Sequence, residues 1–251
     1  MATVVASDHG LYRVLTLNRP EKRNALNDEL IADLKEALGE VDEDEELCAV
    51  VIRGTGPDFC SGADLAALQK IATASYEENL ADAQNLADLF TLIRKVKVPV
   101  IAAVHGRALA GGCGLATACD LIIASESARF GYPEVKIGFV PAIVTAFLRR
   151  NVSEKRAFEM ITQGFEFSAK HAFAVGLVNR VVSDETFEED IYEYVSVYEK
   201  VSRSAVMLSK ELLYRMDGLC FDDAMKAGVE VNARARMTED SKDGIAKFLK
   251  K

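Results

Sequence analysis

The segment from residue 98 to residue 142 constrains this chain more than any other part of it. An apolar stretch from Val98 to Val104 predicts a buried strand, and the loop after it leads through the Gly111-Gly112 pair into a short helix. A second apolar strand, Asp120 to Ala124, is followed by a single acid, Glu134. Paired glycines at a helix start leave backbone N–H groups uncovered, and the helix dipole adds partial positive charge there. The segment therefore predicts a site for an oxyanion with an acid beside it.

Four further segments decide between this interpretation and a simple packing role for the glycines, which is commoner for such pairs. In order, they are LTLNRPEKRNALN (Leu15 to Asn27), FCSGADL (Phe59 to Leu65), FSAKHAFAVGLVNRVV (Phe167 to Val182) and TEDSKDGIAKFLKK (Thr238 to Lys251). They resemble the CoA-contacting loop, the first oxyanion turn, the late helix-and-strand element and the final helix of the crotonase superfamily. These are the enoyl-CoA hydratases and isomerases. The resemblance spans essentially the whole chain.

The resemblance implies an α/β fold, a crotonase-like spiral of ββα turns. The spiral and its acyl-CoA site are expected in residues 1–195, and a C-terminal helical trimerisation region in residues 196–251. The residues alone also favour an α/β fold, because apolar strands alternate with helical segments. No internal repeat is visible in the sequence, so the spiral is carried by the resemblance.

Local patterns predict several element boundaries. A strand is expected from Leu11 to Asn18, with Asn27 capping the helix that follows. Thr238 is expected to cap the last helix. Helix formers dominate after Phe187, although Ser204 to Leu208 also fits a strand. A helix over about 76–95 is expected to face the core with Leu80, Leu86, Leu89 and Ile93.

Composition argues against several functional classes. Thirty basic and thirty-nine acidic side chains give a net charge of −9, and no basic run suggests a nucleic-acid partner. The longest uncharged run, Ala108 to Cys119, is too short and glycine-rich to cross a bilayer. Five scattered cysteines without CxxC spacing predict a reducing, cytoplasmic environment and no metal site. The start of the sequence lacks the pattern of a secretion signal.

The resemblance also assigns candidate site residues. The main-chain N–H groups of Ala63 and Gly111 are expected to hold the thioester oxygen, and Glu134 to transfer protons. The CoA moiety is expected at Lys22 and Arg23, which would neutralise phosphates. The remaining expected substrate contacts are Ala25, Leu26, Asp64, Leu65, Gly112, Gly114, Pro133, Phe248 and Lys251. Phe248 and Lys251 would approach the adenine end, in a trimer or a dimer of trimers. No cofactor is expected, because coenzyme A is part of the substrate.

One departure from the family pattern leaves the reaction open. Hydratases of the family carry two glutamates, and the position of the first is Gly114 here. A single glutamate suits hydration of a 2-enoyl-CoA, or a Δ3,Δ2-isomerisation in which it shuttles one proton. A non-catalytic acyl-CoA-binding scaffold is the third alternative. The run Ala142-Ile143-Val144 resembles members that act on branched, methylglutaconyl-type substrates. None of Asp64, Asp120, Glu126 and His105 is expected to replace the missing acid, because a structural role suits each of them better.

Overall fold

The structure, a computed structural model, describes residues 2–250 apart from the side chain of Leu65. Within them, the strands are Val4–His9 (β1), Tyr12–Leu17 (β2), Ala49–Gly54 (β3), Val100–Val104 (β4), Arg107–Leu109 (β5), Leu121–Ser125 (β6), Arg129–Gly131 (β7), Glu166–Ser168 (β8) and Arg180–Val182 (β9). The α-helices are Asp28–Glu43 (α1), Leu65–Thr73 (α2), Tyr76–Lys95 (α3), Gly111–Ala118 (α4), Ala142–Asn151 (α5), Glu154–Gln163 (α6), Ala169–Ala174 (α7), Phe187–Val195 (α8), Arg203–Arg215 (α9), Phe221–Met237 (α10) and Glu239–Phe248 (α11).

The strands form two sheets that share successive turns of the chain. The larger sheet has the order β1-β2-β3-β4-β6-β9, and all its pairs are parallel except β1 with β2. The smaller sheet has the order β5-β7-β8. The chain passes from β4 to β5 and from β6 to β7, so each of these turns gives one strand to each sheet. This alternation is the predicted ββα spiral, and the α/β fold class is confirmed.

Both faces of the larger sheet are covered. Leu15, Val50 and Ile52 pack on one side in a cluster that includes residues of α1, α3 and α4. Val51 and Ile123 pack on the other side in a cluster that includes residues of α8. Parallel strands buried on both faces lack polar alternation, which is why Val98 to Val104 is continuously apolar.

Most of the predicted boundaries agree with the structure. Asn27 accepts a hydrogen bond from the Leu30 amide at 3.0 Å, and Thr238 caps α11 as expected. The core-facing role of Leu80 was wrong, because its side chain is 56% exposed. Burial in α3 is confined to its C-terminal half, which packs on α1 and α4 while the first turns extend past the core.

The stretch Ser204–Leu208 is helical and not a strand. Ser202 caps α9 by accepting a hydrogen bond from the Ala205 amide, which starts the helix there. The buried Lys210 of the same helix donates to Asp120 at 2.6 Å and to the Val98 carbonyl at 2.9 Å. These bonds fasten the C-terminal helices to the end of α4, and they give Asp120 the structural role that was expected.

None of the described helices is long and apolar enough to cross a membrane. The division of the chain at residue 195 stays a prediction.

Candidate active site

The turn at residues 62–64 lies against the loop at residues 19–27. The Leu26 amide donates to the Gly62 carbonyl at 2.7 Å, and the Asp64 amide donates to the Leu26 carbonyl at 2.9 Å. The Ala63 amide lies between these two bonds and has no acceptor among the described residues. Ala63 is also exposed, so this N–H group remains available to a ligand.

The first turn of α4 lies beside the same segment. A Cβ atom built on Gly111 would lie 3.1 Å from Leu26 Cδ1 and 4.0 Å from Gly62 Cα. The Gly111 amide is the first of the helix, and no described residue accepts from it. Gly62 itself has a φ of 95°, and a Cβ there would meet the Cβ of Ala110 at 2.8 Å. The two uncommitted amides, of Ala63 and Gly111, therefore belong to adjoining turns that only small residues can bring together.

Backbone strain concentrates in the loop at residues 19–27 and at the start of α4. Arg23, Asn24 and Ala110 have φ values of 50°, 53° and 48°, and they are the non-glycine residues with positive φ in the described chain. Such conformations persist where surrounding contacts over-determine them, and they cluster at functional sites. Asn24 supplies part of that constraint, because its buried side-chain amide donates to the Thr55 and Asp58 carbonyls at 2.8 Å. The strain thus lies in the loop that bonds to the Ala63 turn and in the residue directly before the Gly111 amide.

Arg19 joins the loop to the oxyanion turn, and sequence reasoning missed it. Its guanidinium donates to the Ala25 carbonyl at 2.5 Å and to the Asp64 carboxylate at 2.7 Å. The Arg19 hydrogen bond lowers the pKa of Asp64, with help from the Ala66 amide that the carboxylate caps. Asp64 is therefore engaged within the protein. The available signal was an arginine just after the apolar strand β2.

Glu134 lies in a one-turn 3₁₀ helix, Pro133–Ile137. Its main-chain carbonyl accepts a hydrogen bond from the Phe139 amide at 3.0 Å. One carboxylate oxygen, Oε2, is buried and has no hydrogen-bond partner among the described residues. Burial raises the pKa of this carboxyl above its ordinary value. The turn is joined to the start of α4 by a bond from the Ala110 amide to the Gly131 carbonyl at 2.9 Å. An acid with a raised pKa thus lies on the segment bonded to the oxyanion helix.

Comparisons with known proteins identify the family of this chain. Residues 10–251 match the family model described as enoyl-CoA hydratase/isomerase. A putative enoyl-CoA hydratase of Thermus thermophilus is 39% identical, covering 99% of this chain and 98% of the relative. The chain belongs to the enoyl-CoA hydratase/isomerase family. A short-chain-enoyl-CoA hydratase of Clostridium acetobutylicum is 34% identical, covering 99% and 95%.

Solved structures of the family have the same fold. The crystal structure of an enoyl-CoA hydratase from Mycobacterium smegmatis superposes with a TM-score of 0.94 at 35% identity, covering 99% of this chain and 96% of that one. The human enoyl coenzyme A hydratase domain-containing protein 3 gives 0.90 at 28% identity, covering 99% and 97%. Together with the sequence relatives, this makes the protein an enzyme of the hydratase type, and family membership implies an acyl-CoA substrate.

Gly114, which stands at the position expected for the family's first glutamate, is crowded by neighbouring side chains. A Cβ built on Gly114 would lie 3.0 Å from Cε2 and 3.1 Å from Cζ of Phe90, and 3.4 Å from Cβ of Val144. The Phe90 ring is buried and packs edge-on against Phe147 at 5.9 Å between ring centroids. An apolar aromatic ring therefore crowds even the first side-chain atom of any larger residue at this position.

Gly112 serves close packing. A Cβ on Gly112 would lie 2.2 Å from the Cys60 carbonyl oxygen, so a glycine is required for α4 to approach the oxyanion turn. Gly112 and Gly114 are both buried. Pro133 is half-buried at the start of the turn that carries Glu134.

Ala25 and Leu26, expected among the substrate contacts, have main-chain groups that are engaged within the protein. Both amides donate, to the Lys22 and Gly62 carbonyls. Their carbonyls also accept, from Arg19 and Asp64. This loop is held by its own bonds, and only second lone pairs of those carbonyls remain for a ligand.

The expected charged contacts with CoA lie on the surface. Lys22 is exposed, while the Arg23 guanidinium is exposed but lies 3.7 Å from the Asp58 carboxylate. Phe248 is 77% exposed on α11. Lys251 and the side chain of Leu65 lie outside the described residues. No group of metal-ligating side chains occurs in residues 2–250.

Proposed function

We propose that this enzyme adds water across the double bond of a 2-enoyl-CoA thioester, or removes it, with Glu134 as its sole acid–base group. The Ala63 and Gly111 amides would hold the thioester oxygen. The observation that carries the proposal is the buried, unpartnered Oε2 of Glu134, on a segment bonded to the start of α4. A carboxyl with a raised pKa can both accept and return a proton near neutral pH.

In the forward direction, Glu134 takes a proton from water as the water oxygen forms its bond to C3. The π electrons of the double bond move towards the thioester oxygen, where the two amides stabilise the negative charge. The enolate then collapses, and the protonated Glu134 gives its proton to C2. Every proton comes from the added water, so no cofactor is required beyond the CoA carried by the substrate.

A second candidate, Δ3,Δ2-enoyl-CoA isomerisation, is favoured by Phe90. With an aromatic ring in the place of the second carboxylate, an attacking water loses one hydrogen-bonding anchor. Isomerisation needs no water, because Glu134 would remove a proton from C2 and return it to C4. The same oxyanion donors would stabilise the intermediate dienolate.

One assay separates these reactions. Purified protein is incubated with crotonyl-CoA and, separately, with a 3-enoyl-CoA. Formation of the 3-hydroxy product from crotonyl-CoA supports hydration, and conjugation of the 3-enoyl substrate without a hydroxy product supports isomerisation. Binding without either product would establish the non-catalytic scaffold instead. The same assay on Glu134→Gln tests the acid–base role of Glu134. Glu126→Gln is its matched control, because Glu126 is exposed.

The acyl group is proposed to be short and branched. The support is the apolar start of α5, where Ile143 is half-buried and Val144 is buried beside Gly114. A methylglutaconyl-type substrate carries a terminal carboxylate as well as a branch. Comparing kcat/KM for that substrate, for 3-methylcrotonyl-CoA and for crotonyl-CoA therefore separates the preference for a branch from the preference for a charge.

The active form is proposed to be a trimer or a dimer of trimers, built through the C-terminal helices. Large apolar side chains lie exposed there, including Phe221 at 79% and Val229 at 68%. Light scattering tests this, and a monomer at working concentration would contradict it. A cytoplasmic location, and the lack of nucleic-acid and membrane partners, stay predictions from composition.

A further inference from the structure

Two hydroxyl groups meet in the buried space between α4 and the turn that carries Glu134. The Tyr132 and Thr117 side-chain oxygens are 2.7 Å apart, and the two residues are 0% and 2% exposed. Thr117 Oγ1 also donates to the Cys113 carbonyl at 2.7 Å. Because a carbonyl can only accept, the single Thr117 proton is committed to it, and the Tyr132 hydroxyl is the donor to Thr117.

This bond joins the two halves of the site. Tyr132 directly precedes the 3₁₀ turn and stands two residues before Glu134. Thr117 belongs to α4, the helix whose first amide is that of Gly111. The second connection between the same segments is the main-chain bond from Ala110 to Gly131. A side-chain bond and a main-chain bond thus hold the acid-bearing turn against the oxyanion helix.

Glu134 depends on that turn for its position. No described residue bonds to its buried Oε2, so on that side the carboxylate is located by its backbone alone. The Tyr132 ring is itself held in an aromatic group, 6.4 Å from the Phe167 ring centroid. The Tyr132 hydroxyl therefore fixes the chain two residues before Glu134, whose buried Oε2 has no hydrogen-bond partner among the described residues.

We infer that Tyr132 is a positioning residue, whose hydrogen bond to Thr117 sets the place of the Glu134 carboxylate relative to the Gly111 amide. This inference rests on the proposed function, in which those two groups act on one acyl thioester. Misplacement of a reacting group by about 1 Å can cost on the order of 100-fold in rate. The loss is expected in kcat and not in KM, because the loop expected to contact CoA, residues 19–27, is a separate segment.

The decisive variant is Tyr132→Phe. It removes the donor to Thr117 but leaves the Thr117 bond to the Cys113 carbonyl and the packing of the ring intact, so we expect the fold to be retained. We expect kcat to fall by roughly 10- to 100-fold, with KM changed by no more than about twofold. Tyr12→Phe is the matched control, since Tyr12 is a buried tyrosine on the opposite face of the sheet.

A double-mutant cycle separates positioning from packing. Thr117→Val should reproduce the loss in kcat, whereas Thr117→Ser keeps the hydroxyl and should keep the wild-type kcat. The double variant Tyr132→Phe/Thr117→Val should be no slower than either single variant. Additive losses, or a change in kcat of less than about threefold in Tyr132→Phe, would overturn the inference.

A measurement without turnover keeps this test independent of the reaction. The Glu134 carboxyl is titrated by NMR in the wild-type protein and in Tyr132→Phe. Loosening of the turn admits water, so the Glu134 pKa should fall towards its ordinary value in the variant. If the wild-type protein neither hydrates nor isomerises, the proposed function fails, and an unchanged Glu134 pKa in Tyr132→Phe would then refute the positioning role separately.

Discussion

A glutamate introduced at residue 114 should not create a second catalytic acid, because Phe90 occupies the required space. Even the Cβ atom would lie 3.0 Å from the Phe90 ring and 3.4 Å from Val144. In Gly114→Ala, a helix-propensity gain of about 1 kcal/mol opposes this crowding, so we expect little net change in stability. Gly114→Glu adds four further heavy atoms and a buried charge. We expect it to cost about 1–3 kcal/mol from overpacking alone, which lowers Tm by roughly 2–12 °C.

The assay combines thermal unfolding with crotonyl-CoA hydration for three variants: Gly114→Glu, Phe90→Ala and the double variant. We expect Gly114→Glu to be unstable and no faster than the wild type. Removing the ring should make room, so the double variant should be more stable than the sum of the two single losses predicts. A Gly114→Glu protein with unchanged Tm and faster hydration would refute the argument that Phe90 fills this place.

Three further predictions concern the surroundings of the site. Arg19→Ala removes two charged hydrogen bonds worth about 1.5–3 kcal/mol each and should lower kcat/KM by at least about tenfold. Arg53→Ala is the control: it breaks the ion pair with Glu188 near the opposite face of the sheet and should leave kcat/KM unchanged. Because burial raises the Glu134 pKa, the folded protein binds more protons than the unfolded chain above the ordinary value of 4.5, so stability falls as pH rises through that window. Unfolding measured against pH should therefore find Glu134→Gln more stable than the wild type at neutral pH, with the difference vanishing below 4.5; a constant difference would be inconsistent with this. Charge reversal at Lys22 and Lys251 together should weaken acyl-CoA binding in a calorimetric titration, while reversal at Lys226, which pairs with Asp223, should have no effect.

The fold was predictable because its strands carry strong local signals. Strands buried on both faces are continuously apolar, and Asn27 and Thr238 mark helix starts by ordinary capping chemistry. The spiral left no visible repeat in the sequence, because its turns are related by main-chain hydrogen bonds and not by side-chain identity. Leu80 was misplaced for a related reason: helical periodicity gives a face but not how far along the helix the core extends.

Only the site residues that belong to sequence motifs were predictable. Glycines at 62 and 111 and the acid at 134 stand at recognisable positions, so the resemblance located them. The Arg19 bond to Asp64, the contact between Tyr132 and Thr117, and the crowding of Gly114 by Phe90 join residues between 15 and 45 positions apart in sequence. Such contacts depend on tertiary packing, and no local pattern encodes them.

The central claim is that one carboxylate performs all the proton transfer, and Glu134→Gln tests it most directly. The change keeps the size and most hydrogen-bonding capacity of the side chain but removes the proton acceptor. The measurement is kcat of Glu134→Gln on whichever substrate the wild type converts, with Glu126→Gln as control and acyl-CoA binding measured in parallel. The account predicts retained binding and a fall in kcat of about 10⁴-fold or more, the upper end for general acid–base catalysis. Full activity in Glu134→Gln would contradict it.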